Sequence, residues 1–262
     1  MALKQLYQPR KDSMRVAALM SGGGSNVRKI LELQQKLASE GEDLFRVVMI
    51  FTDTADSEIC MAREIAEENK LPYYCEDIGE YYRKNGHENR KDMKLREKYD
   101  NETAKLLKLH RIDVVALCGY MSLVTKPVIE NFLTINVHPA DLRIKDKNGR
   151  RAYAGCMGAG CVKKAMTNGE SEVRSTTHIV TEDVDAGQIL LVSKPVKLDS
   201  PEITSRLTDE ATHHYHEKLK EQGDWKIYPE TLKMLAEGRL AMDDRGTVHL
   251  DGEPILNGYE ID

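Results

Sequence analysis

The chain has 262 residues, of which 40% are hydrophobic and 31% charged, enough for a full core without a disulfide or metal staple. No apolar run approaches the roughly 20 residues of a membrane-spanning helix, and 38 basic against 43 acidic residues give a net charge of −5. That balance argues against a nucleic-acid binder that works by neutralising phosphates.

The first residues, MALKQLYQPRKDSM, contain no apolar segment of the signal-peptide kind. Residues 1–14 read as an N-terminal extension to a single domain over 15–262, with a cytoplasmic location. The chain has five cysteines, Cys60, Cys75, Cys118, Cys156 and Cys161. None forms a C-x-x-C pair, and the closest two, Cys156 and Cys161, lack a second pair to complete a zinc site. All five read as structural residues, Cys118 as a small buried hydrophobe.

Short apolar runs predict strands at Arg15–Met20, Arg46–Phe51, Asp113–Cys118 and Leu133–Val137. Between them lie helical stretches at Asn26–Ser39, Ser57–Lys70 and about Arg90–His110. Strand and helix alternating at this spacing predict βαβ units and a parallel sheet. The polar stretch Gly79–Glu97 reads as a solvated excursion. Beyond residue 170, Ser175–Thr181 and Ile189–Ser193 are predicted strands around the polar turn Glu182–Gly187. Helices are predicted over Ser200–Glu221 and Tyr228–Glu237, then a hairpin of Arg239–Met242 and Thr247–Leu250. No repeat or linker interrupts the chain.

Three places could carry chemistry. Ser21-Gly-Gly-Gly-Ser-Asn26 lies between the first strand and the first helix, where close backbone approach and a helix N-terminus can hold a phosphate. It is neither a P-loop nor a dinucleotide fingerprint, and a tight turn capped by Ser25 or Asn26 explains it equally well. Asn136-Val-His138-Pro139 ends the fourth apolar run, at the carboxyl end where ligands gather in open α/β sheets. Asn136 and His138 share one side of that strand, placing an amide donor beside an imidazole. Asp183-Val-Asp185-Ala-Gly187 offers a carboxylate that could orient and charge an imidazole, although Asp-rich turns are usually only turns. His213, His214, His216 and Glu217 read as a solvated helix face, and Arg143–Arg151 as a solvated basic loop.

In this order, those segments, together with Ala116–Met121, His178–Gly187, Ile227-Tyr-Pro229 and Gly238–Met242, resemble the phosphoribosylglycinamide formyltransferase family. The resemblance runs from about Arg15 to Tyr259. It implies a Rossmann-like α/β formyltransferase fold with a mostly parallel central sheet, helices on both faces and a C-terminal hairpin. It also implies transfer of a formyl group from 10-formyltetrahydrofolate to the amine of glycinamide ribonucleotide, without a metal, a membrane or a nucleic acid. The catalytic set would be Asn136, His138 and Asp185, with Asp185 favouring the charged imidazole. Gly24, Ser25 and Asn26 would hold the phosphate. Met121, Val124, Ile129, Thr181 and Asp183 would line the folate site, and Glu210 would sit on the amine side. Ser122 stands where the family often has arginine. The segment Ala140–Gly160 is longer, more basic and richer in glycine than the family's usual Ser-Leu-Leu-Pro continuation, and Asp141–Gly160 reads as a mobile lid that closes over the site. Two rival readings are a 10-formyltetrahydrofolate hydrolase, and a related protein with another phosphorylated amine or no turnover.

Overall fold

The computed structural model describes residues 2–198 and 209–261. The chain begins with a short strand, β1 (Leu3–Gln5), and then enters the apolar run that forms β2 (Met14–Met20). Apart from Arg15, β2 is buried along its length, as a strand covered on both faces must be. In α1 (Ser25–Ser39), Val27, Ile30, Leu31 and Leu37 form the buried stripe, spaced as an amphipathic helix requires. The pattern continues through β3 (Phe45–Thr52), α2 (Ala62–Glu68), β4 (Tyr73–Cys75), α3 (Ile78–Lys84) and α4 (Met93–Leu109). It closes with β5 (Val114–Leu117), α5 (Lys126–Ile129) and β6 (Leu133–His138). β2 pairs in parallel with β3 and β5, β3 with β4, and β5 with β6. The fold is mixed α/β around a large, mostly parallel sheet, as expected.

Two compact units divide the chain, one over Pro9–Asn136 and one over Met1–Gln8 with Val137–Asp262. The second contains α6 (Ala159–Thr167), β7 (Glu172–Val173), β8 (Thr176–Ile179), β9 (Ile189–Val192) and β10 (Val196–Lys197). It continues with α7 (Asp209–Leu219), a π-helical turn over Lys220–Asp224, and α8 (Trp225–Ala236). The last strands are β11 (Leu240–Asp243), β12 (Val248–Leu250), β13 (Glu253–Pro254) and β14 (Tyr259–Glu260). The expected C-terminal hairpin is β11 with β12, and β1 and β13 extend it to four antiparallel strands. The predicted helix start at Ser200 lies outside the described residues. α8 begins three residues earlier than its predicted start, because the π-helical turn leads directly into it.

Three local expectations need correction. The stretch Gly79–Glu97 is not a solvated excursion. Asp77 caps α3 by accepting the Glu80 N–H, and Asp92 caps α4 by accepting those of Lys94 and Leu95. Between the charges, Tyr82, Leu95 and Arg96 are buried; three residues in so polar a stretch are too few to show as a period. The helix expected from Ser57 starts only at Ala62, because Asp56 turns the chain, its carboxylate accepting the Glu58 N–H and its carbonyl that of Cys60.

The third concerns α1, which neither Ser25 nor Asn26 caps. Its cap is Gly24, with φ +71° and no side-chain hydrogen bond. A Cβ there would lie 2.4 Å from Ile65 Cδ1 and 2.7 Å from Met20 Cε, so glycine is required both by backbone conformation and by space. Gly24→Ala is expected to cost at least the ~1–2 kcal/mol of a left-handed alanine, lowering the thermal midpoint by several degrees. Calorimetry of the variant checks this. An unchanged midpoint would contradict the packing described.

Candidate functional site

In the Pro9–Asn136 unit, the loops leaving β2, β3 and β5 are tied together by one buried carboxylate. Asp53, 2% exposed, accepts from Ser21 Oγ at 2.5 Å and from Thr54 Oγ1 at 3.2 Å, and its second oxygen accepts from Ser122 Oγ. Ser21 Oγ in turn accepts the Met121 N–H at 2.9 Å, while the Ser21 N–H donates to the Gly119 carbonyl. The glycine loop and the Met121 segment therefore meet at the carboxyl ends of their strands. A Cβ on Gly22 or Gly23 would meet no atom within 4 Å, so the loop has open space beside its backbone. Asn26 Oδ1 is buried without a hydrogen-bond partner. Met121 is 57% exposed, and Val124 and Ile129 are half-buried. Sequence reasoning missed Asp53; the available signal was an acid directly after an apolar strand run. It also missed the buried pair Arg96–Asp100, whose carboxylate accepts both the N–H and the hydroxyl of Thr125, just before α5.

In the other unit, β6 ends at His138, and the turn between β8 and β9 brings Asp185 to it. The Nδ1 of His138 lies 3.5 Å from Asp185 Oδ2, and the Nε2 of His178 lies 3.4 Å from Asp185 Oδ1. Gly155 N–H donates to Asp185 Oδ2 at 2.8 Å, and Arg151 Nη1 donates to its backbone carbonyl at 2.5 Å. Asp185 itself adopts φ +52°, a conformation that a short polar side chain tolerates better than most. Burial would push the Asp185 carboxyl up, but the hydrogen bond from His178 and the neighbouring His138 hold it below the ordinary carboxylate value.

His138 departs from expectation. Asp185 does favour its charged form, yet burial outweighs that pull and holds the imidazole below its ordinary value. The reason is that the ring is 3% exposed, and water no longer solvates the cation. On its other side, Nε2 is 2.9 Å from the Tyr153 carbonyl oxygen. The sulfurs of Cys156 and Cys161 lie 3.6 and 3.8 Å from the same nitrogen.

Within 143–151, Lys145, Lys147, Asn148, Gly149 and Arg150 are exposed, as expected of a solvated basic loop, although Arg143 pairs with Asp141 and Glu260. On either side of it Leu142 and Tyr153 are buried, and Cys156 and Cys161 form a disulfide. Those two cysteines were expected to be structural, and the bond between them was not foreseen, because their C-x4-C spacing shows no contact until the turn at Gly158 folds them together. His178 and Arg151 were also missed as site residues. Of the other expected positions, Thr181 donates its hydroxyl to the Asp183 carbonyl at 3.1 Å, and Asp183 is exposed. Glu210 lies exposed in the first turn of α7. His213 and His214 are exposed, as expected, whereas His216 is half-buried.

The pattern of the formyl transferase family matches residues 14–231. The chain belongs to that family. It is 25% identical over 249 residues to the phosphoribosylglycinamide formyltransferase of Haemophilus influenzae, covering 94% of this chain and 98% of that one. The crystal structure of glycinamide ribonucleotide transformylase 1 from Symbiobacterium toebii superposes with a TM-score of 0.64 at 26% identity, covering 92% of this chain and 95% of that one. A formyltetrahydrofolate deformylase from Pseudomonas syringae shares the fold, with a TM-score of 0.66 at 19% identity, covering 92% of this chain and 66% of that one. Among the described residues, no helix is long and apolar enough to cross a membrane.

The depressed His138 value has a consequence for stability. Below its ordinary value of 6.5, the unfolded chain takes up a proton there that the folded chain refuses, so stability falls as pH drops through that interval. His216, also held low mainly by burial, adds to the slope. Urea midpoints measured from about pH 7.5 down to 5 are expected to decline, and His138→Gln to flatten the decline. A slope unchanged by that substitution would mean that His138 does not titrate as described.

Proposed function

We propose that this chain transfers the formyl group of 10-formyltetrahydrofolate to the amine of glycinamide ribonucleotide, a step of purine assembly carried out in the cytoplasm. The observation that carries this reading is the His138–Asp185 pair, two residues beyond Asn136 on β6, in a chain of the formyl transferase family. Gly24, Ser25 and Asn26 would hold the acceptor's phosphate; the open space beside Gly22 and Gly23 supports that assignment. Met121, Val124, Ile129, Thr181 and Asp183 would line the folate site. Glu210 is assigned to the amine side on resemblance alone.

The acceptor amine attacks the formyl carbon, and a tetrahedral oxyanion forms. Asn136 donates its amide N–H to that oxygen, an interaction typically worth ~2.7–4 kcal/mol in the transition state. His138 starts neutral, so its role is first that of a base: it takes the proton from the attacking nitrogen. The imidazolium that results is stabilised by Asp185, whose carboxylate already faces Nδ1. The proton then passes to the departing folate nitrogen as its bond to the formyl carbon breaks. One N–C bond forms, one breaks, and one proton moves between the two nitrogens. Because Nε2 is turned toward the Tyr153 carbonyl and two sulfurs, the segment 153–161 must move aside before that nitrogen can reach substrate. This is the closing and opening expected of a lid.

A formyl-transfer assay with glycinamide ribonucleotide and with water as competing acceptors tests the reading directly. Formylation of the amine supports it, while release of formate alone would assign the deformylase activity instead. Asn136→Ala and His138→Ala are each expected to lower kcat by about 10²–10³. Their double variant should lose less than the product, since both act on one transition state. Asp185→Asn should lower kcat and move the acidic limb of the pH profile to still lower pH, because His138 loses the one charge that favours its protonation. Ser25→Ala should raise the KM for the acceptor and leave that for the folate unchanged. Wild-type turnover in His138→Ala would remove the mechanism.

A further inference from the structure

Two features of the Val137–Asp262 unit go beyond what formyl transfer needs. The first is the placing of Cys156 and Cys161. His138 Nε2 and the two sulfurs all lie within 4.8 Å of one another. The second is the hydrogen bonding of the His138 ring. A neutral imidazole has one N–H and one lone pair, yet electron-rich atoms face both of its nitrogens. Asp185 Oδ2 faces Nδ1, while the Tyr153 carbonyl and both sulfurs face Nε2. The Tyr153 carbonyl can only accept, so its 2.9 Å contact places the ring proton on Nε2, beside both sulfurs. A metal ion bound there would take the place of that proton, which moves to Nδ1 beside Asp185.

We propose that, once the Cys156–Cys161 bond is reduced, His138 Nε2, Cys156 Sγ and Cys161 Sγ bind one divalent ion of the zinc type. Imidazole and thiolate are the donors such an ion prefers. Asp185 at Nδ1 supplies the carboxylate that commonly orients a ligating histidine from behind. Cys161 stands in the first turn of α6, where the helix N-terminus favours a thiolate. Gly158, at φ +51°, makes the turn that returns Cys161 to Cys156. The Tyr153 carbonyl oxygen, 2.9 Å from Nε2 and 3.0 Å from Cys156 Sγ, occupies the remaining corner.

A low-molecular-weight thiol supplies the two electrons of the reduction. The S–S bond breaks, two cysteine thiols form, and the donor leaves as its own disulfide. Two thiol protons are released as the ion binds, and the two thiolates balance its charge. A disulfide is uncommon in a reducing compartment, where closely placed cysteines more often serve metal binding or redox sensing. Ion binding and formyl transfer compete for the same nitrogen, so the loaded chain cannot move a proton at Nε2.

The test uses the full chain, reduced with a low-molecular-weight thiol and desalted without oxygen. Titration should find five thiols, the total in the sequence, rather than the three left free by the disulfide. Cobalt(II) is then added as the probe. A sulfur-to-cobalt charge-transfer band is expected, saturating at one equivalent per chain and abolished by zinc(II). Cys156→Ser and Cys161→Ser should each abolish the band, and Cys118→Ser should keep it, with circular dichroism checking that all three fold. Three thiols after reduction, five thiols without a cobalt band at micromolar ion, or a band that survives Cys156→Ser would each overturn the proposal. The result does not depend on which acceptor the formyl group reaches.

Discussion

The Val137–Asp262 unit is organised around a single carboxylate. Asp185 sits in a left-handed turn conformation and meets two imidazoles, those of His138 and His178, while Gly155 N–H binds the same side chain. A partly buried charge is tolerable only when its oxygens are satisfied, and here each oxygen has a partner on a different element. One partner lies at the end of β6, one in β8, and one in the segment before α6. The carboxylate thereby determines where three pieces of chain must come. The other nitrogen of the His138 ring, Nε2, donates to the Tyr153 carbonyl at 2.9 Å.

The surroundings of Nε2 set the second constraint. Against the Tyr153 carbonyl this nitrogen is a donor, at 2.9 Å. To take an amine proton in the transfer proposed above it must present its lone pair instead, so the ring proton would move to Nδ1 beside Asp185 and the 153–161 segment would move away. The glycines at 155 and 158 have positive φ, so the chain at both positions already uses conformations that other residues disfavour. The segment is nonetheless anchored, since Tyr153 is buried and its hydroxyl donates to Glu170 at 2.8 Å.

Much of this was legible in the residues, and what was not has identifiable causes. The strands were readable because continuous apolar runs such as Val114–Leu117 have few other uses in a chain this polar. The spacing of Asn136 and His138 was readable because alternation along a strand is strict. The helix expected over about Arg90–His110 is α4, whereas α3 was obscured because only Ile78 and Tyr82 on it are buried, too few to show as a hydrophobic period. The protonation of His138 could not be inferred from its pairing with Asp185 alone. Attraction and burial act in opposite directions, and only the depth of the ring decides between them. The cysteines were obscure for a third reason: their spacing acquires meaning only through the turn at Gly158 and the proximity of β6.

A comparison of Asp53 with Asp185 shows why one carboxylate suits chemistry and the other does not. Asp53 accepts from three hydroxyls, those of Ser21, Thr54 and Ser122. A hydroxyl near neutral pH neither gains nor loses charge, so Asp53 can only hold its loops at fixed positions. Asp185 faces two imidazoles, those of His138 and His178, and an imidazole can take up a proton where a hydroxyl cannot. When His138 takes a proton, its 3.5 Å contact with Asp185 becomes an ion pair in a place poor in water, and so strengthens. The difference appears only after proton transfer, so it stabilises the product of that step more than its reactant. An arrangement that strengthens as charge develops is what catalysis requires of a polar group. In Asp53, where partners cannot ionise, the same carboxylate lacks that property.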